Sequence, residues 1–128
     1  MVEFLILSHS KNMAQGVKEL AGQMAPDVPI QAIGGDSEGN LGSDGEKIIQ
    51  AISQAGPDGL FVLFDMGSSM MNAQMALEMA DPDIQDRIFL ADLPLVEGAV
   101  QTAIMAQGGD DFESLKAYAR ENKAGKLI

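Results

Sequence analysis

Short apolar segments alternate with longer segments of helical periodicity along the whole chain. The apolar segments occupy residues 2–7, 30–33, 60–64 and 88–91. Three of them are nearly continuous, which is typical of strands covered on both faces of a sheet. A chain of 128 residues is long enough for one domain with a sizeable core, so we predict a single domain over residues 1–128.

The segments between the strands repeat apolar residues at helical spacing. Five helices are expected, within residues 13–24, 48–55, 70–80, 97–107 and 111–122. Short polar residues that precede helices favour N-terminal caps, and the candidates are Asp44, Ser68 or Ser69, and Asp110 or Asp111.

Strands that alternate with helices predict an α/β fold with a parallel sheet, right-handed crossovers and helices on both faces. We expect a flavodoxin-like sheet with the strand order 2-1-3-4. In such a sheet, the strand order reverses between strands 1 and 3, and ligands bind at the carboxyl ends of these strands.

The chain contains one histidine, His9, at the end of the first apolar segment. The predicted sheet delivers it to the ligand-binding edge, where imidazole can act as a nucleophile, base or ligand. The alternative is a turn residue that bonds to a backbone group. Residues 35–39 match Gly-x-Ser-x-Gly, but they lie in a glycine-rich loop and no helical pattern follows the serine directly, so they do not form a nucleophile elbow. Metal ligands are not clustered in the sequence either. We therefore favour His9 as a nucleophile and predict no metal site.

Residues 64–72 have the pattern of a strand end, a tight turn and a helix start. Asp65 ends the third strand and can orient His9 by accepting a hydrogen bond from one ring nitrogen. Gly67 lets the backbone approach a ligand closely, and the first helix amides with a hydroxyl of Ser68 or Ser69 can hold an anion. The alternative is ordinary capping, in which Asp65 or Ser68 bonds those amides.

Two further features border the predicted site. The glycine-rich loop over residues 34–43 matches neither a Walker loop nor a dinucleotide fingerprint, and it forms either a rim or a simple surface loop. The third helix is rich in methionine, for which we favour buried packing over an adaptable partner surface. These methionines are Met66, Met70, Met71, Met75 and Met79.

The chain is strongly acidic, with a formal net charge of −11. Such a surface repels nucleic acid and anionic membranes, so partners should present basic surface. The chain has no cysteine, no signal-peptide pattern and no apolar run long enough to span a bilayer. We therefore expect a cytoplasmic protein that binds neither nucleic acid nor membrane.

The motifs together resemble the mannose-type enzyme IIA domains of the bacterial phosphoenolpyruvate:sugar phosphotransferase system. In chain order they are Ser8-His9-Ser10, Gly42-Ser43-Asp44, Asp65-Met66-Gly67-Ser68-Ser69 with Asn72, and Pro94-Leu95-Val96-Glu97-Gly98-Ala99. The Asp-Met-Gly-Ser and Leu-Val-Glu-Gly motifs resemble one branch more narrowly, the phosphotransferase subunits of phosphoenolpyruvate-dependent dihydroxyacetone kinases.

The resemblance implies a phosphotransferase in which His9 accepts a phosphoryl group from the phosphohistidine of the carrier protein HPr. The group then passes to ADP held on the nucleotide-binding subunit of dihydroxyacetone kinase, so this chain itself binds no cofactor. The family is typically homodimeric.

By the same resemblance, Asp65 orients His9, while Gly67, Ser68 and Ser69 bind the phosphoryl oxygens. We place Ser10, Gly42, Met66 and Met70 at the rim of the site. Phosphoryl transfer depends mainly on in-line placement and on donors to the oxygens, so no metal need be bound by the chain. Lys11 is the basic residue close to His9 in sequence, and further stabilising charge is expected from backbone amides and the partner.

Three alternatives remain open at this point. The chain can be a mannose-type enzyme IIA of a sugar transport system, or a non-catalytic flavodoxin-like binding domain in which His9 is structural. A signalling receiver phosphorylated on Asp65 is a third, but receivers need acidic metal ligands after strand 1, where this chain has His9.

Overall fold

Four parallel strands form one sheet in the computed structural model, which describes residues 1–126. The strands are β1 (Glu3–Ser8), β2 (Ile30–Gly34), β3 (Leu60–Phe64) and β4 (Ile88–Ala91). They pair in the order β2-β1-β3-β4, and every pairing is parallel. The predicted fold class and strand order are therefore confirmed.

Six helices connect and follow the strands. They are α1 (Lys11–Met24), α2 (Gly45–Ser53), α3 (Gly67–Met79), α4 (Pro82–Gln85), α5 (Leu95–Gln107) and α6 (Phe112–Glu121). The sequence predicts five of them and misses α4, because a single turn is too short to show helical periodicity. Pro82 begins this turn, where proline suits the first helical position.

The helices bury both faces of the sheet, as predicted. Alternate side chains of β1 point to opposite faces: Phe4 and Ile6 pack in one cluster with α1, α5 and α6, while Leu5 and Leu7 pack in the other with α2 and α3. All four side chains are at most 1% exposed. Two-sided burial accounts for the continuous apolar runs in the sequence.

Two of the three predicted caps are confirmed. Asp44 caps α2 by accepting a hydrogen bond from the backbone N of Lys47 at 3.2 Å, and Asp111 caps α6 by accepting from Ser114 N at 2.9 Å. Asp111, rather than the alternative Asp110, is the cap of α6.

The prediction that Ser68 or Ser69 caps α3 is wrong. The helix begins at Gly67, its N-cap position is Met66, and no side chain caps it. Both serines lie inside the first turn, from which their hydroxyls reach across to the ends of β1 and β3.

Close packing at the ends of β1 and β2 requires glycine at position 34. Gly34 pairs with Ser8 in the sheet, and a Cβ atom there would overlap the carbonyl oxygen of Ser10. The absence of a side chain at position 34 therefore lets the turn after β1 lie close against the end of β2. Over residues 1–126, no helix is both long and apolar enough to cross a membrane.

Candidate active site

His9 and Asp65 lie together at the carboxyl edge of the sheet, because β1 and β3 are neighbours. Leu7 pairs with Phe64, and the backbone N of Asp65 donates to the carbonyl oxygen of Leu7 at 3.1 Å. The ring Nδ1 of His9 lies 3.1 Å from Oδ1 and 3.2 Å from Oδ2 of Asp65. The backbone N of His9 also donates to Oδ2, at 2.9 Å.

The Asp65 carboxylate is surrounded by donors. Besides His9, it accepts hydrogen bonds from the Ser8 hydroxyl at 3.0 Å, the Ser69 hydroxyl at 2.9 Å and the backbone N of Met66 at 2.7 Å. Burial raises the pKa of Asp65, but the hydrogen bonds from His9, Ser69 and Met66 together hold that pKa below its ordinary value. The group is thus held as an ionised acceptor.

This carboxylate decides which nitrogen of His9 carries the proton. An ionised carboxylate only accepts hydrogen bonds, so Nδ1 of His9 must donate to it. The hydrogen-bond pattern therefore assigns the proton of the neutral ring to Nδ1 and leaves Nε2 with its lone pair free. The hydroxyl of Ser68 lies 2.6 Å from Nε2 and donates to it. The His9 side chain is 23% exposed, so a partner can reach it.

Ser68 and Ser69 both contact His9, but on different sides of the ring. Ser69 is buried, and its hydroxyl braces Asp65 and lies 3.1 Å from Nδ1. Ser68 is exposed and faces Nε2. Of the two serines, Ser68 is the one whose hydroxyl lies where a group on Nε2 would be.

The N-terminus of α3 lies near Nε2 of His9, because Ser68, which contacts Nε2, belongs to the first turn of this helix. Gly67 is its first residue, and no side chain caps the backbone amides of this turn. Uncapped amides at a helix start carry partial positive charge and suit an anion. The predicted role of Gly67, Ser68 and Ser69 in holding phosphoryl oxygens stays a prediction.

Two of the predicted rim residues touch the site through the backbone. Gly42 donates from its backbone N to the carbonyl oxygen of His9 at 2.9 Å. Ser10 donates from its backbone N to the Ser8 hydroxyl at 3.0 Å and caps α1 by accepting from Met13 N at 3.2 Å. The loop after β2 is therefore bonded to the site and is more than a simple surface loop.

The prediction that the methionines of this region are buried is wrong for four of the five. Met66, Met71, Met75 and Met79 are between 55% and 72% exposed. The helix packs against the sheet through small side chains such as Ala73 and Ala76, so the longer side chains project outwards. Met70 is partly buried and packs against the core.

Three contacts at the site were not predicted from the sequence. Ser8 donates to Asp65, and its position at the end of β1 is the signal that could have found it. Asn72 of α3 donates to the Ser43 hydroxyl at 2.6 Å and links the helix to the loop after β2. Lys126 reaches the end of β3, although it lies far away in sequence.

Among residues 1–126, no group of three or more His, Cys, Asp or Glu side chains is placed to hold a metal ion.

The family of the chain follows from its similarity to known proteins. A family model described as the PTS system fructose IIA component, EIIA-man, matches residues 3–116, which include every residue of the site described above except Lys126. The chain belongs to the EIIA-man family. The resemblance read from the sequence motifs is thereby confirmed.

Curated relatives of this EIIA-man domain carry related names. The PTS-dependent dihydroxyacetone kinase, phosphotransferase subunit DhaM, of Lactococcus lactis is 33% identical over 112 residues, which is 88% of each protein. The PEP-dependent dihydroxyacetone kinase, phosphoryl donor subunit DhaM, of Escherichia coli is 37% identical over 120 residues, 90% of this chain and 25% of the relative. The chain thus spans about a quarter of the longer relatives and most of the shorter ones.

A solved structure shares the whole architecture. The crystal structure of an unknown function protein, EF1359, superposes with a TM-score of 0.83 at 40% sequence identity and covers 93% of this chain and 92% of its own. The parallel four-stranded arrangement of this EIIA-man domain therefore recurs in an experimental structure.

Proposed function

We propose that this EIIA-man domain is a phosphocarrier that receives a phosphoryl group from the phosphohistidine of HPr on His9. It then passes the group to ADP held by the nucleotide-binding subunit of dihydroxyacetone kinase. One observation carries the proposal: Asp65 fixes the proton on Nδ1 of His9, while Nε2 faces Ser68 at the uncapped start of α3. The names of the DhaM relatives support the choice of kinase.

In the proposed first step, the lone pair of Nε2 attacks the phosphorus of the donor phosphohistidine in line. The new N–P bond forms as the bond on the donor breaks, and the electron pair returns to the donor nitrogen. The His9 ring keeps its Nδ1 proton and gains positive character, which the Asp65 carboxylate stabilises. The Ser68 hydroxyl, released from Nε2, donates to a phosphoryl oxygen.

In the proposed second step, a terminal phosphate oxygen of ADP attacks the same phosphorus and ATP forms. The N–P bond to His9 breaks, and its electron pair returns to Nε2. No proton leaves the ring in either step, so the site needs no separate general base. We propose accordingly that this chain binds no cofactor and that ADP and ATP stay on the partner subunit.

Other members of the proposed assembly follow from the family resemblance. We propose a cytoplasmic homodimer whose partners are HPr and the nucleotide-binding kinase subunit. A mannose-type enzyme IIA of a sugar transporter would use the same His9 chemistry with a different acceptor protein. The acceptor therefore decides between these two functions.

Intact-mass measurement tests the proposal directly. Incubation with phosphoenolpyruvate, enzyme I and HPr should add one phosphoryl group to the chain, and omission of HPr should abolish the gain. Addition of the nucleotide-binding subunit with ADP should then remove the group and form ATP. No gain in mass with the full donor system would leave a binding domain with a structural His9. A phosphorylated chain that cannot discharge to ADP would point to the sugar-transport alternative.

We also propose that recognition combines long-range charge with apolar contact. The chain carries a net charge of −11, and Met66 lies exposed next to Asp65. Attraction between opposite charges speeds encounter and is screened by salt, whereas apolar contact is not. At limiting HPr, transfer to this chain should therefore slow as the ionic strength rises from about 0.01 to 0.5 M, mainly through association.

Two uncharged substitutions separate the contributions to recognition. Met66→Gln should raise the KM for HPr by roughly fivefold without changing the salt dependence, because it removes apolar contact but no charge. Met79→Gln is the matched control at the far end of α3, where the side chain is 72% exposed, and it should leave KM unchanged. A transfer rate that does not change over the salt range would contradict a role of charge in recognition, and the acidic surface would then serve solubility alone.

A further inference from the structure

After α6, the chain folds back along the carboxyl edge of the sheet. The backbone N of Ala124 donates to the carbonyl oxygen of Asp92 at 2.9 Å, and the backbone N of Lys126 donates to its carboxylate at 3.0 Å. Asp92 directly follows β4 and is 8% exposed. This segment is therefore anchored at the same edge that carries His9 and Asp65.

The anchored segment brings the ammonium group of Lys126 to the end of β3. Its Nζ donates to the carbonyl oxygen of Phe64 at 2.6 Å and lies 4.5 Å from the centroid of the Phe64 ring. Phe64 is the residue that precedes Asp65, so the charge sits beside the backbone that presents the carboxylate. Both contacts favour the charged form of the lysine.

Burial and two nearby carboxylates act on the ammonium group of Lys126 in opposite directions. Burial lowers the pKa of Lys126, and the carboxylates of Asp92 and Asp65 oppose this shift. Asp92 is engaged by the backbone of the segment, and Asp65 by the donors around His9. Lys126 thus places a positive charge near the carboxylates of Asp92 and Asp65.

A phosphoryl group on His9 would be repelled by the negative charges around it. Such a group carries about two negative charges at neutral pH, next to the ionised Asp65 and in a chain of net charge −11. Lys11, the basic residue near His9 in sequence, begins α1, and it lines a groove with Gly34 and Asp36 at the end of β2. The contacts of Lys126, by comparison, lie on the β3 side, where Asp65 is.

We propose that Lys126 is a positioning residue of the phosphoryl site, whose ammonium group offsets the charge of Asp65 when His9 is phosphorylated. The inference rests on the proposed function of His9. It goes beyond the family match, because Lys126 lies outside the matched residues 3–116. The physical effect is on the stability of the phosphorylated state, since removal of a nearby cation leaves the repulsion between the carboxylate and the phosphoryl group less compensated.

The equilibrium of phosphoryl exchange with HPr tests this role. Lys126→Met and Lys126→Gln remove the charge and keep much of the side chain, whereas Lys126→Arg keeps the charge. Lys123→Met is the matched control, because Lys123 is exposed in the same segment and its loss changes the net charge equally. The ratio of phosphorylated to free chain, read by intact mass at fixed HPr, should fall about fivefold in the neutral variants. Lys126→Arg should stay within about twofold of wild type, and Lys123→Met should not change.

These variants separate the role of Lys126 from the function of His9. A labelled wild type with an unchanged ratio in both neutral variants overturns the role of Lys126 and leaves the phosphocarrier function intact, even if thermal unfolding shows lower stability. An equal fall in Lys123→Met attributes the effect to overall charge and also overturns the role. A wild type that takes up no phosphoryl group overturns the proposed function, and this inference with it.

Discussion

A His9→Ala variant will take up no phosphoryl group from phosphorylated HPr and will fold as wild type does. His9 is the one imidazole of the chain, and its Nε2 is the free nitrogen that faces Ser68. The ring is not part of the apolar core, and Asp65 keeps its bonds to Ser8, Ser69 and the backbone N of residue 9 when the ring is lost. Intact mass gives the uptake, and thermal unfolding checks the fold.

The chemistry of the label provides a control for this prediction. A phosphoryl group on imidazole should be lost in acid and retained in base, as a phosphoramidate requires. An acid-stable label would instead indicate a serine ester, and Ser68 is the exposed hydroxyl beside the ring. Uptake by His9→Ala at the level of wild type would exclude His9 as the acceptor.

An Asp65→Asn variant is expected to transfer the phosphoryl group roughly 10²-fold more slowly, or worse. The amide keeps the shape but loses the charge that holds the proton on Nδ1 of His9. In the variant, the NH₂ group would also meet groups that donate to the carboxylate in wild type, and two donors cannot form a hydrogen bond. These groups are the hydroxyls of Ser8 and Ser69 and the backbone N of His9. Single-turnover rates for charging by HPr and discharge to ADP would measure the effect in both directions.

Ser69→Ala is the matched variant for this comparison. It removes one hydrogen bond to Asp65 and keeps the charge, so it should slow transfer far less than Asp65→Asn. A purely capping role for Asp65 would leave both stability and transfer nearly unchanged in Asp65→Asn, because asparagine caps about as well as aspartate. Unchanged transfer in Asp65→Asn would therefore remove Asp65 from the mechanism.

The lowered pKa of Asp65 gives the same substitution a second measurable effect. A carboxyl group with a folded pKa below its ordinary value of 3.8 stabilises the fold above that value, and the contribution is lost as pH falls through the folded pKa. As the pH falls below about 3.8, the free energy of unfolding should therefore decrease more in wild type than in Asp65→Asn. Asp111, whose pKa is lowered by its bonds to Ser114, contributes in both proteins.

The sequence by itself determined the strands, helices and parallel sheet of this EIIA-man domain and the two central residues of its candidate active site. Continuous apolar runs mark strands buried on both faces, and helical repeats between them require parallel crossovers. Parallel strands end at one edge, so the residues that follow β1 and β3 had to meet once the order 2-1-3-4 was adopted. His9 and Asp65 were therefore within reach of sequence reasoning, because local patterns fix where each strand ends.

Only the tertiary structure decided how the side chains around this pair are used. Ser68 and Ser69 are adjacent in sequence, but the turn of α3 directs one to Nε2 and the other to Asp65. The methionines of α3 are exposed because the small side chains beside them already fill the contact with the sheet, which composition alone does not reveal. Lys126 comes to the end of β3 through bonds to Asp92 across 34 residues of chain. Such a contact depends on the path of the backbone after α6, and no periodicity or local motif encodes that path.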